Sequence, residues 1–385
     1  MLDLRHRFPA VTEGDHASWA RFDGPAGTQV VDSAIHATSA WQRSGNNANS
    51  HGAFAAAHAC DELVQRVRRT MGELLNADPY GFMVGPSTTS NVFSITRAIA
   101  RGLGPGDEIV CTQLDHDSNV SPWLLIADDT GATVRFAEFE PTTGRLPVES
   151  VTSLLSERTR WVAVTGASNA IGTMPDVTAI TAAAHTVGAR VVIDGVHLTP
   201  HAPVDLRAIG CDIYSTSSYK WYGPHAGITW VRPELLDELP AYKVRPAPDT
   251  GAERFQLGTP AYENLAAIDA AARFLIETGI DTIRTHERAV FARLLDGLLA
   301  DDRVTIYGPH DLEQRAPTLA FNVAGMSAEA VAHALATERI AVWDGNYYAV
   351  EAMERLGIDG AVRAGIAAYV TNDDVDRLVD AVGRL

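Results

Sequence analysis

Six short apolar runs, rich in β-branched residues and separated by polar or helical stretches, constrain this chain more than any other feature. They lie at Glu108–Thr112, Thr133–Phe139, Arg160–Thr165, Arg190–Ile193, Asp212–Ser215 and Gly227–Val231. Helical patterns occupy Ser90–Arg101, Val148–Ser156 and Val177–Val187. Near-continuous apolar strands alternating with helices predict a largely parallel sheet covered on both faces, the α/β class. Ligands of such sheets bind at the carboxyl ends of the strands, so the residues after each run become the candidates for chemistry. Beyond residue 260 the pattern changes. Two long helices (Glu263–Thr278 and Asp281–Leu299) precede strands at Val304–Tyr307, Thr318–Val323, Ile340–Trp343 and Val362–Ala367, with a helix at Ala328–Thr337 and a last helix from Asp373 capped by Asn372. This predicts a smaller α+β unit.

Composition narrows the function classes. A net charge of -17 leaves no basic patch to neutralise phosphates, which argues against nucleic acid or an anionic membrane as partner. No stretch approaches the roughly 20 apolar residues of a membrane span, and the start Met-Leu-Asp-Leu-Arg-His-Arg lacks the apolar region of a secretory signal. Cys60, Cys111 and Cys211 are widely spaced and form no metal-ligand pattern. A cytoplasmic protein with reduced, buried thiols and no metal site is expected.

Five polar clusters follow the apolar runs or open a helix. Gly85-Pro86-Ser87-Thr88-Thr89-Ser90-Asn91 opens a helix, where free N–H groups and hydroxyls suit a phosphate or make an ordinary cap. His116 in Leu114-Asp115-His116-Asp117-Ser118-Asn119 suits stacking on a planar ring or a plain surface position. Asn169 in Ala167-Ser168-Asn169-Ala170-Ile171-Gly172 suits a ring hydroxyl or a turn. Asp194, ending the buried run Val191-Val192-Ile193, demands a cation or strong donor, and His197 follows three residues later. The fifth cluster is Ser215-Thr216-Ser217-Ser218-Tyr219-Lys220, ahead of the turn Gly223-Pro224. The chain contains only two lysines, Lys220 and Lys243. A lysine differs from arginine in that its amine can lose a proton and form a Schiff base with an aldehyde. A phosphate site, a stacking His, a hydroxyl partner, an Asp for a ring nitrogen and a Schiff-base Lys are together the contacts that pyridoxal 5'-phosphate (PLP) requires.

With these motifs the chain resembles the PLP-dependent class V aminotransferases of fold type I, in the cysteine desulfurase-like branch, over nearly its whole length. Further segments carry the resemblance: Arg21-Phe22-Asp23-Gly24-Pro25-Ala26-Gly27 at the substrate pocket, Asn47-Ala48-Asn49-Ser50-His51, Gly258-Thr259-Pro260 and Val362-Arg363-Ala364. The resemblance implies a large PLP-binding domain with a mostly parallel seven-stranded sheet (residues 15–260) and a small α+β domain (261–385, with the segment 1–14). It implies Ser87, Thr88, Thr89, Ser217 and Tyr219 on the phosphate, His116 stacked on the ring, Asn169 near the ring hydroxyl, Asp194 on the ring nitrogen with His197 beside it, and Lys220 as the Schiff-base lysine. Thr259 would reach the phosphate of a neighbouring subunit, making a homodimer with shared active sites. Arg363 would grip a substrate carboxylate, with Ala26 and Asn169 nearby. Lys220, His116 and Asp194 are the expected catalytic residues.

One departure shapes the functional expectation. Desulfurases of this branch carry a nucleophilic cysteine on a loop shortly before that arginine; here the matching stretch is Ile340-Ala341-Val342-Trp343-Asp344-Gly345-Asn346-Tyr347-Tyr348-Ala349, without a cysteine. Persulfide chemistry needs that thiolate. The expected activity is therefore a C–S β-lyase on cysteine or an S-substituted cysteine, working through a quinonoid. The alternatives are an aminotransferase or epimerase of the same family, or a catalytically silent binding protein with this fold. Trp343 is expected in the core beneath the small domain, whereas Tyr347 and Tyr348 suit either packing or a substrate pocket.

Overall fold

The computed structural model describes residues 2–14 and 16–385, so the domain boundary drawn at residue 15 lies outside the described residues. Strand β1 is Ala20–Arg21; β2 to β8 are Phe82–Gly85, Glu108–Thr112, Thr133–Ala137, Thr159–Thr165, Arg190–Asp194, Ile213–Ser217 and Gly227–Val231; β9 to β13 are Val304–Tyr307, Thr318–Val323, Ile340–Ala341, Trp343–Gly345 and Ala361–Gly365. The apolar runs fold as expected because both of their faces find cover. Along β6, Val191 and Ile193 join one buried cluster while Val192 joins the cluster on the opposite face. This is the period-2 alternation of a strand sandwiched between helical layers.

Seven strands form one sheet in the order β2-β8-β7-β6-β5-β3-β4. All are mutually parallel except β8, which runs antiparallel to both β2 and β7. Ser217 and Gly227, which the register pairs, face each other across a short connection; a parallel return needs a crossover of about a dozen residues or more. Chain order reverses between β3 and β5, which lie side by side although β4 intervenes in sequence. The loops leaving these two strands diverge there and open a crevice, the usual ligand site of such sheets.

Strands β12-β13-β10-β9 form a smaller antiparallel sheet. The segment expected as one strand over 340–343 is divided: β11 pairs in parallel with β1, and β12 turns away to pair with β13. The final helix, Asn372–Arg384, is capped by Thr371 and not by Asn372. Thr371 holds an extended backbone, accepts from Asp374 N at 3.2 Å and donates its own N–H to Asp374 Oδ2 at 3.0 Å, a reciprocal capping box. Among the described residues no helix is long and apolar enough to cross a membrane.

Candidate active site

A cavity opens at the carboxyl ends of β3, β5, β6 and β7. Ser87, Thr88, Thr89, His116, Asn169, Asp194, His197, Ser217, Tyr219 and Lys220 all line it, together with Ser118, Thr165, Ala167 and Val196. Ten side chains named from sequence thus converge on one space.

At one end the helix Thr88–Ala100 points its N-terminus into the cavity. Ser87 caps it by accepting from Ser90 N at 3.1 Å, which leaves the N–H groups of Thr88 and Thr89 without helical partners. The Thr88 hydroxyl is committed elsewhere, donating to Thr216 O at 2.8 Å and lying 2.6 Å from Ser217 Oγ. It ties the helix to the end of β7, so backbone N–H groups are the donors this turn offers an anion. Gly227 permits that approach: a Cβ there would lie 2.2 Å from Thr88 N.

Asp194 closes β6, and among the described residues its side chain accepts one hydrogen bond, from Val196 N at 2.9 Å. Burial pushes this carboxyl up to about 6, with the Val196 bond and Lys220 pulling the other way. Such a group calls for a cationic N–H partner from within the cavity. Lys220 follows β7 in a short 3₁₀ turn. Its amine donates to Ala26 O at 3.0 Å and also to Pro25 O. Burial pulls it down to about 7, and the Arg363 charge lowers it further against the opposing pull of Asp194. Near neutrality much of this amine is unprotonated and nucleophilic.

His116 owes its state to a residue not singled out from sequence. Its Nδ1 accepts from Ser118 N at 3.0 Å and lies 2.8 Å from Ser118 Oγ. A backbone N–H can only donate, so the neutral ring carries its proton on Nε2. Burial, then Lys220 and Arg363, lowers His116 to about 4; at neutral pH it is a donor through Nε2. A local signal existed, since a Ser two residues after a His can close such a turn. Beneath it lies Asp115, also missed, which accepts from Asn119 Nδ2 at 2.7 Å and from the Thr112 hydroxyl and is pushed by burial up to about 8. His197 is buried, bonds Thr318 Oγ1 at 3.0 Å and is pulled down by burial, so it too is neutral. Tyr219 stacks on His225 with centroids 4.9 Å apart.

Arg363 sits on β13, buried, with Nη1 donating to Asn169 O at 2.9 Å. Among the described residues its Nε and the Asn169 Oδ1 are buried without hydrogen-bond partners. Tyr347 packs under the guanidinium, 4.3 Å from ring centroid to Cζ, and its hydroxyl donates to Ala361 O. Tyr347 is therefore a brace, 8% exposed, whereas Tyr348 is 70% exposed with its ring 5.6 Å from His116. Trp343 is not in the core: it is 51% exposed on β12. Thr259 does not reach the cavity; it is exposed and lies 3.4 Å from Asn49 Nδ2 in a separate surface hollow.

The donor set fits PLP: an anion site at one end, a buried carboxylate with a single local donor, a neutral imidazole and a deprotonatable lysine in one cavity. All three cysteines are buried, and burial pushes Cys211 up to about 12, the reverse of an activated nucleophile.

Comparison with known proteins gives the same direction. The aminotransferase class-V family model matches residues 21–378. A cysteine desulfurase of Cronobacter sakazakii is 31% identical over an alignment covering 100% of this chain and 98% of that protein. An apo cysteine desulfurase from Thermococcus onnurineus NA1 superposes with a TM-score of 0.93 at 24% identity, covering 99% of this chain and 98% of that one. The S-sulfonic acid form of the Escherichia coli cysteine desulfurase CsdA gives 0.88 at 26% identity, covering 99% and 96%.

Proposed function

The chain belongs to the aminotransferase class-V family, and on that premise we propose that this PLP-dependent enzyme is a C–S β-lyase of cysteine or S-substituted cysteines. The balanced reaction is R–S–CH₂–CH(NH₃⁺)–COO⁻ + H₂O → RSH + CH₃–CO–COO⁻ + NH₄⁺. One observation carries the reading: the lysine–aspartate cavity is complete, while every thiol of the chain is buried and raised in pKa. The relatives' cysteine chemistry then retains its bond-breaking half without a protein sulfur acceptor.

PLP, when bound, supplies an aldehyde that captures amines and a ring that withdraws electrons from the captured carbon. Lys220 would hold the aldehyde and Asp194 the ring nitrogen, while the Thr88 and Thr89 N–H groups, Ser87, Ser217 and Tyr219 would hold the phosphate. Asn169 would stand by the ring hydroxyl, with His116 and His197 beside the ring. Arg363 orients the substrate through its carboxylate, bidentate geometry being natural to a guanidinium. Lys220, unprotonated in part near pH 7, takes the Cα proton. His116 offers Nε2–H to the departing sulfur. Thr259, exposed beside Leu257 at 70% exposure, belongs to the face where a second subunit completes the phosphate site. We place this homodimer in the cytoplasm and divide the chain near residue 260.

The deciding experiment incubates the PLP-loaded protein with S-substituted cysteines and follows pyruvate and free thiol in equal amounts. Keto acid retaining the sulfur would make it a transaminase. Loss of optical activity without pyruvate would make it an epimerase. No turnover of any amino acid would leave a silent binding protein.

A further inference from the structure

Three aromatic residues of the 343–348 segment have separate fates. Tyr347 is spent bracing Arg363. Trp343 pairs directly with Arg363 in the antiparallel register of β12 and β13. Directly opposed residues in such a pair project from the same face of the sheet, so Trp343 emerges on the face of the small sheet that also carries Arg363. Tyr348 reaches the cavity from the loop, with its ring tilted 35° against His116, one of the lining residues. Both rings are left in solvent, at 51% and 70% exposure.

The loop is held this way against its own preference. Tyr347 and Tyr348 both have φ of 55°, a left-handed conformation that bulky residues rarely adopt and that persists only when the surroundings enforce it. The surroundings do so from both walls of the cavity. Asn169 Nδ2 donates to Tyr347 O at 3.0 Å, Asp117 N donates to Tyr348 O at 2.6 Å, and Asn346 Oδ1 accepts from Tyr348 N at 3.1 Å. Two exposed aromatic rings, one of them on a strained and pinned loop, are a poor solution for folding and a good one for contact with a ligand.

We infer that Trp343 and Tyr348 form an aromatic rim that selects substrates bearing a flat, apolar substituent on sulfur, namely S-aryl conjugates of cysteine, over free cysteine and short S-alkyl conjugates. This rests on the β-lyase reading for the identity of the sulfur, and on the exposed rings themselves for the selectivity. Arg363 holds the common end of every such substrate, and the rim meets the end that varies.

The test compares S-phenylcysteine with S-methylcysteine on the PLP-loaded protein. Dissociation constants are read from the change in visible absorbance of the bound cofactor, and kcat/KM from pyruvate. The native protein is expected to favour the aryl conjugate in both. Trp343→Ala and Tyr348→Ala should each reduce that preference roughly threefold to tenfold, the worth of one aromatic contact, and Tyr348→Phe should retain it. A preference unchanged in both alanine variants, or absent from the native protein, would overturn the rim. Selective binding without pyruvate from either conjugate would sink the elimination reading and leave the rim standing. Pyruvate formed with a preference that neither variant moves would do the reverse. If neither conjugate changes the spectrum, both fall.

Discussion

The floor of the cavity and its rim are built by opposite means. Asp194 and Ser217 end strands that are hydrogen-bonded on both sides, and Lys220 stands in the turn immediately after. Their positions are set by the whole sheet. The rim rests on a three-residue strand and a left-handed turn, pinned by a few individual bonds. Groups that must meet a cofactor atom to atom sit where the backbone has least freedom; groups that choose among substrates sit where sequence can vary without disturbing the floor. The absence of cysteine from the rim, with an intact floor beneath, is what that division permits.

Breaking the floor should have the largest effect. Lys220→Ala is expected to abolish the borohydride-reducible visible band of the cofactor and lower turnover by roughly 10²–10⁴-fold, with unfolding temperature little changed. A band that still reduces would show that the amine is not the point of attachment. Arg363→Ala should raise KM far more than it lowers kcat, a loss of about 2–5 kcal/mol in carboxylate binding; steady-state kinetics with equal effects on both would remove Arg363 from substrate recognition.

The protonation of the floor gives a subtler test. Lys220 is pulled down to about 7 and reacts only when neutral. Capture of added PLP by the cofactor-free protein should therefore accelerate as pH rises, by about tenfold per unit below 7, and level off above it. Asp194, which loses its proton near 6, flattens the lower part of that curve because its charge favours the ammonium. Stopped-flow rates still climbing at pH 10 would put the amine in open solvent. At the rim, Tyr347→Phe removes the hydroxyl bond to Ala361 O while keeping the ring under Arg363. The expected cost is about 1 kcal/mol of stability by denaturant unfolding, with KM nearly unchanged; a large rise in KM would make Tyr347 a substrate contact instead of a brace.

Much of the floor was legible because a buried strand writes a short apolar run and the polar residue that ends it stands out. Asp194 after Val191-Val192-Ile193 is the clearest instance. The reversal of β8 was missed, although the connection between Ser217 and Gly227 is too short for a crossover helix and its length alone pointed to an antiparallel return. The rim was less legible. Trp343 was expected in the core since large aromatics usually bury, yet a strand of three residues has too little pattern to say which face it shows. Neighbouring Tyr347 and Tyr348 look equivalent in sequence; a left-handed backbone sends one ring under Arg363 and the other outward. Asn372 and Thr371 are both good caps, and only the extended backbone at 371 decided between them.

By itself the sequence determined the layered α/β architecture, the residue types at the strand ends and the lack of a cysteine in residues 340–349. Those are local properties: the period of apolar residues and the identity of a side chain at a turn are settled within a few positions. Only the tertiary structure decided that Lys220 and Arg363 lower His116, and that Arg363 and Asp194 pull Lys220 in opposite directions, because such coupling exists only when charges distant in the chain come together in poorly hydrated surroundings. It likewise decided which aromatic rings were left facing the solvent.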